Sequence, residues 1–220
     1  MPSHIIDSNM VTLVGRVIGD REFSHEMYGE GFYNYQLQIS RLSEAYDVLP
    51  LTISERLLYD FNLQEGDLIK VEGQLRSYNK FTEGSNRLIL TVFARDIIRL
   101  GSDEDIKNPN QIFLEGFICK NPVYRETPFG REITDLLVAV NRSYNKSDYI
   151  PCIAWGRNAK FSAKLEVGDH IKSWGRIQSR RYQKKLQDGS VINRVAYEVS
   201  ISKMERLNEN GEIISQEEDI

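Results

Sequence analysis

Long apolar runs are missing from this sequence: none approaches the roughly 18 residues that a membrane-spanning helix needs, so no segment reads as a helical span. Cysteine is scarce. Cys119 and Cys152 both sit in apolar, strand-like runs, which fits reduced, buried thiols rather than a disulfide or a metal pair. His4, His25 and His170 lie far apart and form no zinc spacing. Phosphate loops, nucleophile elbows and paired carboxylates in a strand-and-turn context are also missing. These absences argue against an enzyme and leave no expected cofactor or metal. The first ten residues lack a basic region followed by an apolar core, so the expected compartment is the cytoplasm.

Repetition is what the chain has instead. Asn9, Leu13, Gly15, Gly29, Arg41 and Pro50 recur 101 positions later as Asn110, Leu114, Gly116, Gly130, Arg142 and Pro151. Beyond one inserted residue, Leu63, Gly66, Asp67, Lys70, Gly73 and Ser77 recur 102 positions later as Leu165, Gly168, Asp169, Lys172, Gly175 and Ser179. The chain is a tandem duplication. The expected division is a first domain over 1–100, a polar linker over 101–109 ("GSDEDIKNP"), a second domain over 110–207 and a short acidic tail over 208–220.

Alternation and turn residues give each copy the same order of elements. Strands are expected near 10–18, 32–41, 47–53, 67–77 and 87–98, and again near 111–119, 132–142, 148–155, 169–179 and 191–203. A short helix falls between the third and fourth strands of each copy, near 55–62 and 157–165. Five strands with a helix before the fourth predict a mainly β chain of two tandem OB-folds, small five-stranded Greek-key barrels. The repeated Gly15, Gly73, Gly116 and Gly175 suit barrel curvature.

The stretch "DYIPCIAWGRNA" at 148–159 carries two large rings among small neighbours. Strand side chains alternate faces, so Ile150, Cys152 and Ala154 share an interior face while Tyr149, Pro151, Ile153 and Trp155 share the other. The next strand repeats the division. Lys172, Trp174, Arg176, Gln178, Arg180 and Tyr182 form one face, and Ile171, Ser173, Gly175, Ile177 and Ser179 form an inward one small enough for a barrel. Arg181, Lys184 and Lys185 load the hairpin that follows with positive charge. Rings interleaved with cations along a groove suit a ligand with flat bases and a charged backbone.

The net charge of −4 hides an asymmetry. Residues 110–206 hold 17 Lys and Arg against 10 Asp and Glu, whereas residues 9–100 hold 10 against 13. Local field, not the mean, governs a charged ligand. The first copy also lacks the rings, with Val48, Ser54 and Lys80 where the second has Tyr149, Trp155 and Tyr182. It reads as architectural.

The segments "NQIFLEGFICKNPVYRETPFG", "AVNRSYNKSDYIPCIAWGRNA", "GDHIKSWGRIQSRRYQKK" and "VAYEVSI" resemble bacterial single-stranded DNA-binding proteins across residues 110–207, in the family's order and spacing. The first copy resembles them mainly through "LVGRV" and "EGDLIKVEGQLRS". The two-barrel plan is similar to the subgroup with two OB domains per chain. The resemblance implies sequence-tolerant binding of single-stranded DNA in replication, repair or recombination, with Tyr144, Tyr149, Trp155 and Tyr182 at the family's stacking positions. Lys172 stands where the family commonly has an aromatic, and Trp174 where it is more often polar. The resemblance also implies a homodimer that presents four barrels. It implies recruitment of replication or repair proteins by an acidic tail, here Gln216, Glu217, Glu218 and Asp219, although the family's proline-phenylalanine ending is missing. A disordered, solubilising tail is the other reading. Two alternatives stay open: a replication-restart adaptor of the primosome type that works through protein contacts, and an RNA-binding OB protein.

Overall fold

The computed structural model describes residues 8–59, 61–82, 85–101, 106–185 and 189–216. In the first copy these form β1 (Asn9–Met27), β2 (Glu30–Ser40), β3 (Tyr46–Ser54), α1 (Glu55–Leu58), β4 (Leu68–Thr82) and β5 (Ser85–Arg99). β1 pairs with β2 and β4, β2 with β3, β4 with β5, and β3 runs parallel to β5. Those five pairings close a ring. The second copy forms β6 (Asn110–Ile118), β7 (Val123–Glu126), β8 (Glu132–Arg142), β9 (Lys146–Trp155), α2 (Arg157–Ser162), β10 (His170–Lys185) and β11 (Val191–Leu207). Its ring is β6–β8–β9–β11–β10 and back to β6, again with one parallel contact, β9 to β11. The molecule is two tandem OB barrels, and no helix among its described residues is long and apolar enough to cross a membrane.

Most strands outrun their sequence-based limits, because β1, β4, β10 and β11 continue past the barrel walls as long ribbons. The exception has a cause. In the first copy β1 bends at a register shift after Ile18 and keeps pairing with β2 as far as Met27. In the second, Pro122 brings no N–H to the ladder, so β6 stops at Ile118 and β7 restarts at Val123. Both helices are shorter than expected, ending at Leu58 and Ser162.

Each interior follows the alternation. Leu13, Leu37, Leu49, Leu51 and Val71 fill one barrel, and Leu114, Val138, Ile150, Cys152, Ala154 and Ile171 the other, all at most 3% exposed. Each large aliphatic buried this way contributes about 1.5–3 kcal/mol. Gly73 and Gly175 occupy matching register shifts. A Cβ there would lie 2.2 Å from the carbonyl oxygen of Phe93 or Ser200, so only glycine lets the neighbouring backbone approach.

The barrels are joined strand to strand. β1 and β6 pair antiparallel, with Val11 opposite Ile112 near the middle, so one continuous sheet crosses both copies. Two buried carboxylates close the joint from either side. Asp47, 1% exposed, takes hydrogen bonds from Arg41 at 2.6 and 2.8 Å and, across the joint, from the Ser179 backbone N–H at 2.7 Å. Asp148, 0% exposed, takes the Ser77 N–H at 2.6 Å and Arg76 Nη1 at 3.1 Å from the first barrel, with Arg142 Nε at 3.3 Å from its own. The repeat relates these sets: Arg41 to Arg142, Asp47 to Asp148, Ser77 to Ser179. Ser179 therefore does not fill the barrel interior as expected; its hydroxyl and N–H both reach Asp47.

Pro109, at the end of the linker, accepts a hydrogen bond from the Val14 N–H at 2.7 Å; residues 102–105 lie outside the described residues. Past Leu207 the chain turns back, and β12 (Ile213–Gln216) pairs with the end of β11. After a turn over 208–212, the tail is thus a strand over 213–216. Glu217, Glu218 and Asp219 lie outside the described residues.

Candidate nucleic-acid interface

β9 divides its side chains as alternation requires. Ile150, Cys152 and Ala154 are at most 3% exposed, whereas Tyr149 and Trp155 are 46% and 37% exposed on the outward face. Burial pushes the Cys152 thiol far above its ordinary range, so it is packing and not a nucleophile. Ile153, between the two rings, is 5% exposed and forms the floor between them. Six residues of strand set the rings about 20 Å apart. The Tyr149 N–H donates to the Ser77 hydroxyl at 2.7 Å, so this ring stands beside the joint, while Trp155 stands at the far end of the strand, where Gly156 turns the chain with φ 56°.

Two further tyrosines flank this face. Tyr144, in the short turn between β8 and β9, has φ 62° and is 94% exposed. Tyr182, 37% exposed on the β10 ribbon, has the Arg180 guanidinium 5.8 Å from its ring centre. That is cation–π range. Arg181 and Lys185 are exposed on the ribbon's other face. The backbone of Lys184 pairs with Ile192, between them.

The β10 row is less uniform than its sequence. Arg176 is exposed and lies opposite Ser200, which pairs in turn with Ile153 of β9; this row joins the ring face. Arg176 also lines a cleft of about 850 Å³ between the barrels, together with Arg16, Arg41, Lys107 and Asp47. Lys172 and Trp174 instead neighbour β6. Lys172 and His170 both reach Glu115, at 3.8 and 3.1 Å. Trp174 packs on Phe113 with ring centroids 5.2 Å apart, and the Lys203 ammonium lies 4.8 Å from its ring centre. Trp174 is thus tied to β6 and to Lys203 of β11. Gln178 is buried and donates to Glu198 at 2.8 Å, and Arg180 lies 3.7 Å from the same carboxylate.

Sequence reasoning missed these acidic partners. Glu115 sits between Phe113 and Phe117 on alternate positions of β6, and the register of the hairpin sets Glu198 and Glu205 opposite Gln178 and Lys172. In the first barrel the position aligned with Trp155 is Ser54, 6% exposed, whose hydroxyl accepts from the Leu57 N–H and caps α1. The groove side of β9, with four exposed rings and the cations of β10, can stack bases and meet phosphates. No cluster of metal-ligating side chains occurs among the described residues.

Comparison with known proteins adds to this geometry. Residues 109–207 match the profile described as "Single-strand binding protein family". Single-stranded DNA-binding protein B of Bacillus subtilis is 33% identical over 81 residues, covering 34% of this chain and 72% of its own. Over three other curated single-stranded DNA-binding relatives the chain spans only 57, 63 and 52% of their length. The crystal structure of the single-stranded DNA binding protein from Thermus aquaticus superposes with a TM-score of 0.72 at 22% identity, covering 91% of this chain and 93% of that one. It shows the shared two-barrel fold. The dimeric structure of the N-terminal domain of the PriB protein from Thermoanaerobacter tencongensis is 54% identical over 44% of this chain and 100% of its own, with a TM-score of 0.40.

Proposed function

Because the chain belongs to the single-strand binding protein family, we propose that it binds single-stranded DNA with little regard for sequence, mainly through its second barrel. The observation that carries this reading is the outward face of β9, where Tyr149 and Trp155 stay exposed over a fully packed inner face. A ring held this way offers a base its flat surface without having to leave a core. Tyr144 and Tyr182 extend the platform. Arg176 and Arg180 meet the backbone phosphates beside the rings, and Arg181 and Lys185 add positive charge on the ribbon's other face. The family is one of non-enzymatic binders, and this chain acts by holding the strand, in replication, repair or recombination.

Base stacking is worth about 1–3 kcal/mol per ring, so Trp155→Ala weakens binding to oligo-dT about tenfold or more at fixed salt, and Trp155→Phe keeps most of it. Fluorescence titration measures both. Unchanged affinity in the alanine variant rejects the reading. The logarithm of affinity falls with that of salt by about 0.7 per neutralised phosphate, and titration against RNA and duplex separates the DNA reading from an RNA-binding one.

A second reading is a protein-holding adaptor, and one observation favours it: Glu115 and Glu198 already answer Lys172 and Arg180, which leaves less free charge for phosphates. That role would survive loss of both Tyr149 and Trp155. We also propose that two chains assemble into a homodimer through the outer face of β6, where Phe117 is 37% exposed and Met10 of β1, paired with Phe113, is 48% exposed. Light scattering at micromolar concentration tests it, and a strictly monomeric mass rejects it.

A further inference from the structure

The first barrel lacks rings at the aligned positions but has assembled others. His25 on β1 stacks on Phe32 of β2, with ring centroids 4.8 Å apart and planes 8° from parallel. Phe32 leans in turn on Phe93 of β5, at 5.5 Å and 39°. Phe32 is 4% exposed, so the bottom of this pile is closed. His25 tops it and is exposed. The Ser24 hydroxyl lies 3.0 Å from His25 Nδ1 and helps to fix the imidazole.

The place of the pile matters more than its existence. Phe32 pairs across the sheet with Ser54, and Phe93 stands beside Thr52. In the second barrel the same three positions hold Ile133, Trp155 and Ser200: Ile133 pairs with Trp155, and Ser200 stands beside Ile153. The two barrels therefore fill one corner in opposite ways. The second sends a single large ring outward from its third strand. The first keeps a small serine there and raises a pile from its first, second and fifth strands, ending in an open imidazole face.

We infer that His25 is a base-stacking point of the first barrel, holding a base of the same single strand that the second barrel binds. This rests on the function proposed above. Phe32 and Phe93 hold the imidazole from below, so a base can lie on its free face at little cost in side-chain freedom. Charge sets the limits of the site. Glu22, Glu26 and Glu30 crowd the same ribbon, and Arg56 is drawn to Glu30 at 3.8 Å. Arg21, on the same strand as His25, lies 4.7 Å from the centre of the Tyr33 ring, which Phe23 meets edge-on at 5.8 Å. With so little attraction for phosphate, the point cannot capture a strand alone. It works once the second barrel has brought the strand close, when the local concentration of bases is high.

The test uses the full chain and two oligo-dT lengths, one of about 12 nucleotides that fills a single barrel and one of about 35 that spans two. His25→Ala is expected to weaken the long strand about fivefold, the lower end of a stacking contact, and to leave the short strand within about twofold. His25→Tyr keeps the ring and restores the long-strand affinity; His25→Lys keeps only a charge and does not. Thermal melts confirm that each variant is folded. Trp155→Ala, run alongside, weakens both lengths. If that variant loses affinity while His25→Ala changes neither length, His25 is no stacking point and the main reading survives. Restoration by lysine overturns the inference too, because charge would then be the cause. If the long strand is not bound by the parent chain, or Trp155→Ala has no effect on either length, the function itself falls, and this inference with it.

Discussion

In the second barrel, Tyr149 and Trp155 stand exposed on the outward face of β9, whereas the aligned positions of β3 in the first barrel hold Val48 and a buried Ser54 that caps α1. Their inward faces hardly differ: Leu49, Leu51 and Ile53 pack one barrel as Ile150, Cys152 and Ala154 pack the other. The comparison teaches which positions the fold constrains. A closed five-stranded barrel leaves little choice inside, where each side chain touches others in a close-packed space. Its outer wall tolerates a tryptophan or a serine at one position and lets ligand chemistry differ between copies.

The joint offers the largest way to break that equivalence. Asp148 faces two arginines and Asp47 one, because the position aligned with Arg76 is Gln178, which bonds Glu198 instead. Asp148→Ala strands Arg76 and Arg142, each about a quarter exposed, and leaves the Ser77 N–H without its acceptor. The expected loss is about 3 kcal/mol, against about 2 kcal/mol for Asp47→Ala. Urea midpoints at neutral pH measure both, and equal losses would mean that the second arginine adds nothing. Next come the register-shift glycines. Gly73→Ala and Gly175→Ala each force a Cβ against a carbonyl oxygen, so each should cost about 2 kcal/mol, the same within error. A difference between them would show that the walls are less alike than their pairing.

The smallest effect concerns acid. Burial pushes the Asp47 carboxyl up, but hydrogen bonds from Arg41 and Ser179 outweigh it and hold its pKa below the ordinary carboxylate value. A group with a lowered folded pKa stabilises the fold above its unfolded pKa, and that stability is lost as pH falls through the folded value. Stability should therefore drop as pH falls below about 4. Asp47→Asn should flatten part of the drop, and urea midpoints at pH 6 and pH 3 compare the two chains.

Much of this was legible in the sequence. Period-two alternation placed Tyr149 and Trp155 outward and Cys152 inward, because a strand in a closed wall has no third option. The repeated glycines, read as points of barrel curvature, are also where neighbouring backbones come close. Ser77 and Ser179 were visible as repeated residues too, yet nothing local says that they meet Asp148 and Asp47 across a joint, 71 and 132 positions away in the chain. The β10 row misled for a related reason: alternation reports which face a side chain takes but not which carboxylate lies beside it on the next strand. Glu115 and Glu198 belong to β6 and β11, and only the register between strands brings them to Lys172 and Arg180.

The seam between β1 and β6 speaks to ancestry. Each strand pairing across it, from Asn9 with Leu114 to Leu13 with Asn110, has a counterpart related by a half-turn, the arrangement that arises when identical molecules meet through the same surface. A chain with one such barrel would present an unpaired edge, a template for its own kind, and would join a second copy only as fast and as often as concentration allowed. Tying both halves into one polypeptide makes that encounter permanent. Identical partners must change together, since every substitution appears on both sides of the axis. Two halves of one chain are free of that rule, and here one holds Trp155 while the other holds Ser54 and a pile topped by His25.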